Sequence, residues 1–469
     1  MRRAGAILAA LLAAAACSRQ KSESARVLPT GDAVWFEDGI GPDEGGVEET
    51  LEKGGLGAVF LPAIRLSRES GHWVAQQLPP PPRPMARTKV FLVFIGDDTV
   101  SQALSRPGSA APLGEALRAG VQSAFRETRP YGAVAGIHLD LPFTGPAAGQ
   151  YAAVVSALRG KMPEGMPLSV SLRFAPGPED AEGMRALARA CDGFVAFLFG
   201  EGNHADPIAT DALERQWFAG YAASARGTWT SASGQRPVPE WILSRLSNET
   251  GAEFLENVSL QEESGQTFDI RPRVPLALDA THRLAPGDRL LFRQPLVSDL
   301  FARLASDVAG RRFARGRVLA LPGRSETERL LTLAALTEVL AGQPALPNLH
   351  VATEIGRNFV SVTAENLSPH ATVLSRTSNW VEVALPFAGI RDVQTGGFDR
   401  FEVYGPDREP ITLGRAVTVR FFETLIQPHE QIAPAHILLN RAPPKDCCPV
   451  RFHFLAASGQ EKLSDAAAK

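Results

Sequence analysis

The sequence predicts an α/β protein, a (β/α)8 TIM-like barrel with an inserted lobe, followed by a C-terminal antiparallel β-sandwich. Three observations carry this prediction. Short apolar runs rich in Val, Ile, Leu and Phe alternate with segments of helical period up to about residue 205, and again from 288 to 342; this is the rhythm of parallel strands covered by helices. The two stretches together hold eight strand–helix units, the number that closes a barrel. Beyond residue 350 the helical period vanishes, and polar and apolar residues alternate between turn signals, as in an antiparallel sandwich. An open doubly wound sheet is the competing architecture, but no GxGxxG follows any predicted strand.

Residues 1–17 read as an export signal, with Arg2 and Arg3, an apolar stretch from Ala4 to Ala16, and then Cys17. The stretch is too short for a permanent membrane span. Small residues ending in one Cys resemble a bacterial lipoprotein signal, with Cys17 as the lipidated first residue and membrane anchor. Ala14 stands where such signals usually carry Leu, and a plain secretory signal is the alternative. Both readings place the chain in the bacterial cell envelope or beyond, and the first ties it to the membrane.

Residues 18–30 form a polar tether, and the barrel is expected over 31–345. Its predicted strands are 33–37, 57–63, 89–98, 134–141, 167–174 and 193–202, then 288–294 and 317–323 after an insertion at about 228–287. Segments such as "LGEALRAGVQSAFRET" and "AGQYAAVVSALRGKM" supply the helices between them, and "ATDALERQWFAGYAASA" also reads as helix. "LPPPPRP" (78–84) is a stiff loop. "QPALPNLH" (343–350) is a linker, the sandwich occupies 350–456, and 457–469 is a flexible tail.

A net charge of −3 without a long basic run leaves no electrostatic footprint for nucleic acid. Cys191 opens a predicted buried strand and reads as a packed free thiol. Adjacent Cα atoms lie ~3.8 Å apart, below the ordinary disulfide range of roughly 4.4–6.8 Å, so a bond between Cys447 and Cys448 is expected to be strained. With no CxxC spacing, zinc-ligand pair, phosphate loop or Ser-His-Asp elbow, neither metal nor cofactor is expected. Esterase, metallopeptidase and NTPase readings lack support for the same reason.

The stretch "GIHLDL" raises the functional question, because a buried strand should be apolar. Side chains alternate between the faces of a strand. Ile137, Leu139 and Leu141 therefore lie under the helices, and Gly136, His138 and Asp140 point to the barrel axis near the strand's carboxyl end. Active sites of this fold sit at that end. The same parity puts Ser169, Ser171 and Arg173 on the inner face of the next strand, and Val93, Ile95 and Asp97 on one face of the third. Trp35 and Glu37 end the first strand, Glu201 ends the sixth, and Asn203 and His204 stand in the loop after it. A concave rim with Trp35, carboxylates and an Arg suits a sugar, since aromatic faces stack on pyranose rings and carboxylates bond hydroxyls. Each residue also has a plainer role open to it: strand-end acids cap helices, as Asp98 can, and Arg173 can simply neutralise Asp140.

The strand-four motif Gly136, Ile137, His138, Leu139, Asp140, with "QYAAVVSALRGKMPEGMPLSVSLRF" and "CDGFVAFLFGEG", resembles an uncharacterised bacterial family of glycoside-hydrolase-like TIM-barrel proteins. The resemblance runs from about residue 30 to the end of the barrel. It implies a second acid two places after the Asp, where this chain has Pro142. A more distant similarity links the motif to chitinase-like barrels, whose strand four ends in several Asp and a catalytic Glu; Asp140 matches one Asp, and no Glu follows. Sugar hydrolysis generally needs two carboxyls. The hydrolase reading assigns Glu201 as acid, its pKa raised by Phe197 and Phe199, and Asp140 as base or stabiliser held by His138 and Arg173. Trp35, Glu37, Asp97 and Asn203 complete its substrate site. The rival is a non-catalytic barrel that binds carbohydrate or peptidoglycan, or that scaffolds an envelope protein assembly through its sandwich.

Overall fold

The computed structural model describes the chain from Gly31 to Asp465, leaving out residues 198–216, 239–256, 294–313, 322–331 and shorter stretches. Cys17 and the export and tether segments lie outside the described residues, as do Glu201, Asn203 and the predicted helix "VSDLFARLASDVAG".

Strands β1 (Ala33–Phe36), β2 (Ala58–Glu69), β3 (His72–Gln77), β4 (Met85–Gly96), β5 (Gly132–Asp140), β6 (Leu168–Leu172), β7 (Gly193–Phe197) and β8 (Trp217–Ala222) come first. An insertion then carries β9 (Arg226–Ser231), β10 (Gly234–Val238), β11 (Val258–Glu263), β12 (Thr267–Pro272), β13 (Leu276–Ala277), β14 (Arg283–Leu284) and β15 (Arg289–Arg293) before β16 (Ala314–Leu321). All of the first set except β3 pair in parallel in the order β1-β2-β4-β5-β6-β7-β8, and β16 pairs with both β8 and β1. The ring therefore closes with eight parallel strands, as predicted.

Helix α1 (Val47–Lys53) follows β1, α2 (Asp98–Leu104) and α3 (Ala110–Arg126) follow β4, α4 (Ala148–Arg159) follows β5, and α5 (Ala181–Ala190) follows β6. Parity decides which side chains fill the ring. Ala33, Trp35, Ala58, Phe60, Phe91, Val93, Val195, Val318 and Ala320 form one buried cluster inside it. The alternate residues Val34, Val59, Leu92, Ile137, Leu139, Val170 and Leu172 are equally buried on the helix side. Gly136 is required where it stands: a Cβ there would lie 2.4 Å from the Phe91 ring, which fills the space above it.

Three elements differ from the sequence expectation. The segment read as a helix before residue 223 contains β8, the seventh ring strand. Residues 288–294, predicted as that strand, hold β15, which pairs antiparallel with β9 and β12 in the insertion's five-stranded sheet β10-β9-β15-β12-β11. A short apolar run does not reveal by its period whether it is strand or helix, nor which sheet it joins. Finally, β2 runs past its predicted end at residue 63 and turns through Ser70 (φ 48°) and Gly71 (φ 87°) into β3. Positive φ at both central positions marks the tight hairpin turn whose twist matches paired strands.

The contacts divide the chain into two compact units, one built on residues up to Ala222 with 303–324, the other on 223–302 with 325–469. The second unit contains the insertion's sheet, helix α6 (Leu333–Leu340) and strands β17 (Leu349–Ile355), β18 (Phe359–Asn366), β19 (Trp380–Ala384), β20 (Ile390–Gln394), β21 (Arg400–Tyr404), β22 (Thr418–Phe422), β23 (Gln431–Leu439), β24 (Val450–Leu455) and β25 (Glu461–Asp465). They form two antiparallel sheets, β17-β18-β23-β20 and β21-β22-β19-β24-β25, over a core that includes Val362, Val383, Phe421, Ile437 and Phe452. Of the segment read as a tail, Glu461–Asp465 is an edge strand on β24.

Cys191 is buried and takes part in no disulfide. Cys447 and Cys448 are bonded to each other; Cys448 takes the left-handed backbone conformation (φ 74°) at this junction. Among the described residues, no helix is long and apolar enough to cross a membrane.

Candidate functional site

Strands β5 and β6 run side by side, pairing His138 with Ser169 in parallel register. Their inward parity therefore stacks His138 and Asp140 beside Ser169, Ser171 and Arg173 at the carboxyl end of the ring. Asp140 and Arg173 meet in a two-pronged ion pair, with Nε donating to Oδ1 at 3.1 Å and Nη2 to Oδ2 at 3.0 Å. The Asp140 side chain is 15% exposed and that of Arg173 39%, so the pair is reached from the mouth.

Burial works to raise the Asp140 pKa. The charge and hydrogen bonds of Arg173, with the influence of Ser171 adding to them, outweigh it and hold the carboxyl below the usual carboxylate range. Burial likewise works against the Arg173 guanidinium, and Asp140 and then Glu37 more than offset it. Glu37 is half-buried just beyond β1, where its N–H donates to the Leu321 carbonyl of β16 at 2.9 Å. Glu37, Asp140 and Arg173 thus share one electrostatic neighbourhood.

His138 lies beneath them and is completely buried. Its Nδ1 is 2.8 Å from Ser169 Oγ and its Nε2 2.9 Å from Ser171 Oγ. The ring stands edge-on to Trp35 (4.9 Å between centroids) and Phe60 (5.3 Å). Burial pushes the imidazole pKa down to about 3; Asp140 opposes this and Arg173 adds to it. His138 is a neutral part of the barrel floor.

The remaining predicted residues separate from this group. Trp35 is 2% exposed, with its ring stacked on Phe60 at 5.6 Å, so it packs the interior rather than offering a platform to a sugar. Asp97 is exposed and caps α2, accepting the Thr99 N–H at 2.9 Å; it performs the capping that the sequence allowed for Asp98. Glu201 and Asn203 lie outside the described residues. Ser169 and Ser171 are the participants not singled out from sequence, although the parity that selects His138 and Arg173 selects them too.

No protein-family model matches the chain, which leaves the bacterial-family resemblance resting on the strand-four motif and its neighbouring segments. No curated protein matches it either. Among solved structures, the Bacillus cereus spore cortex-lytic enzyme SleL aligns at 12% identity over 67% of this chain and 74% of its own, with a TM-score of 0.37. A glycoside hydrolase family 18 N-acetylglucosaminidase from Paenibacillus barengoltzii aligns at 12% identity over 66% of this chain and 99% of its own, with a TM-score of 0.38. A family GH18 chitinase from Chromobacterium violaceum aligns at 9% identity over 93% and 91%, with a TM-score of 0.35. These are likenesses of general outline.

Proposed function

We propose that this chain is an exported barrel protein of the bacterial cell envelope, anchored through a lipid on Cys17, that binds carbohydrate at the carboxyl-end mouth of its barrel. The observation that carries this reading is the two-pronged Asp140–Arg173 pair, half-buried at that mouth. A guanidinium and a carboxylate held in one plane offer fixed donors and acceptors side by side, the groups that neighbouring sugar hydroxyls engage. A neutral His138 and the apolar interior close the floor beneath them.

In this reading Asp140 binds and orients, and is not a proton donor. An acid catalyst needs a raised pKa so that it carries its proton at working pH; Asp140 is shifted the other way. Pro142 occupies the place two residues on where the resembled family has a second acid. An ionised Asp140 is nonetheless competent as a base or charge stabiliser, which favours one second reading, hydrolysis with Glu201 as the acid.

Calorimetry of the intact chain against neutral oligosaccharides and peptidoglycan fragments, with a parallel assay for new reducing ends, separates the readings. Binding that is lost in Asp140→Ala and Arg173→Met, without reducing ends, is the expected result. Reducing ends that disappear in Glu201→Gln assign hydrolysis instead. No binding to any glycan by the folded protein overturns the carbohydrate reading.

A further inference from the structure

Strand β2 exchanges its two faces halfway along. At its start Ala58 and Phe60 point into the ring, and Pro62 continues the alternation, paired with the inward Val93 of β4. The register then shifts at Ala63, so that Ile64 pairs with Phe94 and Arg65 with Ile95. This is a bulge, in which one extra residue reverses the direction of every side chain after it. Had the alternation run on unbroken, Ile64 and Leu66 would point inward and Arg65 would lie under the helices.

Packing fixes both faces beyond the bulge. A Cβ built on Gly120 of α3 would lie 3.2 Å from the Phe94 ring, 3.4 Å from Ile64 Cγ2 and 3.6 Å from Ala75 Cβ. Ile64, Phe94 and Ala75 of β3 therefore all face that helix. On the other face Ile95 packs against the cluster inside the ring, and it pairs with Arg65 on one side and Asp140 on the other. Residues paired across neighbouring strands share a face, so Arg65, Ile95 and Asp140 form one level at the mouth. Gln76 of β3 stands opposite Arg65, and both are exposed. Two strand spacings, roughly 10 Å along the sheet, separate Arg65 from Asp140, the reach of a disaccharide. Asp140 already holds Arg173, whereas Arg65 forms no ion pair among the described residues. Glu69, the next charged residue on its face of β2, stands roughly 13 Å further along, beside the hairpin turn.

We infer that Arg65 is a further binding residue of the mouth, and that the glycan it selects carries a carboxylate. This rests on the carbohydrate reading above and names the class of sugar. The bulge buries Ile64 and Leu66 and in the same step delivers an uncommitted guanidinium to the wall beside Asp140 and Arg173. Its planar fork of N–H donors matches the two oxygens of a carboxylate, a fit that a lone sugar hydroxyl does not offer. The Gln76 amide across the hairpin is a second donor within the same patch.

The test uses the intact chain and oligosaccharides that differ only in their carboxylates: oligouronides and peptide-free peptidoglycan strands, each beside its methyl ester. Calorimetry is expected to show an acidic form binding at least about tenfold tighter than its ester, the margin that one charge-assisted hydrogen bond supplies. Which acid shows the preference tells a uronic carboxylate from a lactyl one. Arg65→Gln is expected to bring the ratio down to about twofold or less, and Arg65→Lys, which keeps the charge without the fork, to recover part of it. Because Arg65 is exposed, neither substitution enters the core. Acid and ester that bind the unaltered chain equally overturn the inference and leave the carbohydrate reading standing. A preference that survives in Arg65→Gln overturns it too. Binding of neither acid nor ester from any glycan removes the carbohydrate reading, and this inference with it.

Discussion

A single side chain sets a measurable pH dependence here. His138 is neutral in the fold with a pKa of about 3, against 6.5 for a free imidazole. A depressed folded pKa means that the unfolded chain binds the extra proton as pH falls below about 6.5, so stability declines from there toward pH 3. Between pH 7 and pH 5 the loss attributable to His138 is about 2 kcal/mol. Denaturant unfolding of wild type and His138→Gln at the two pH values checks this: the variant is expected to lose less by about that amount. Asp140 acts in the same direction at lower pH, since its depressed pKa stabilises the fold until protonation through the folded value. Removing its partner should be costly even at neutral pH. Arg173→Met leaves a carboxylate that is 15% exposed without its cation, and an expected destabilisation of about 2 kcal/mol allows for the water that reaches the guanidinium. These groups were legible in the sequence because a polar residue in a buried strand has one rational direction, and alternation supplies it. What alternation does not supply is depth. Trp35 and His138 share the inner face with Asp140, but lie beneath the mouth, where packing rather than solvent meets them.

At the scale of the element, the strand pairs decide what each face tolerates. Gly136 on β5 faces the Phe91 ring across the β4–β5 pair. Gly136→Ala therefore forces the ring or the strand to move, and is expected to destabilise the barrel by about 1–3 kcal/mol. Adding Phe91→Leu should return part of that loss in the same unfolding assay, because the smaller side chain vacates the space. The second unit offers the opposite sign of pH effect. Glu423, just after β22, is 6% exposed with Oε2 unpartnered, and burial, followed by the charges of Asp399 and Glu430, raises its pKa well above the ordinary value. A raised carboxyl pKa gives stability at low pH that is lost as pH rises. Glu423→Gln mimics the protonated form and should stabilise the chain by about 1 kcal/mol more at pH 8 than at pH 5, as read by thermal unfolding at both. Nothing in the sequence marks Glu423 as buried, since its environment is assembled from Asp399 and Glu430 in separate turns. The same cause explains the strand errors. "WFAGYA" in β8 and "RLLFR" in β15 are both short apolar runs, and only their partners distinguish a ring strand from a strand of the inserted sheet.

The whole ring depends on a seam that no local pattern encodes. Its first and last strands, β1 and β16, are joined in parallel register from Ala33↔Val318 to Phe36↔Leu321. The inserted sheet lies between them in the chain, so counting eight strand–helix units predicted closure without identifying every member. At the start of the seam Asp32 accepts from the Arg317 backbone N–H at 3.1 Å and from its Nε at 2.9 Å, and Nη2 also bonds its carboxylate. The two residues are 285 positions apart, so the contact forms only after the intervening chain has been placed, and its loop-closure entropy opposes it until then. Asp32 is only partly shielded, with 22% of its side chain exposed, which moderates the charge contribution. Its bond to a strand N–H still has no substitute when the carboxylate is removed. Asp32→Ala is therefore expected to cost about 1–3 kcal/mol and to act first on the seam. Native-state hydrogen exchange provides the check: amides of β1 and β16 should lose protection before those of β5 and β6, which lie across the ring. Uniform loss across all eight strands would mean that the ring opens as one unit and that Asp32 does not hold its closure.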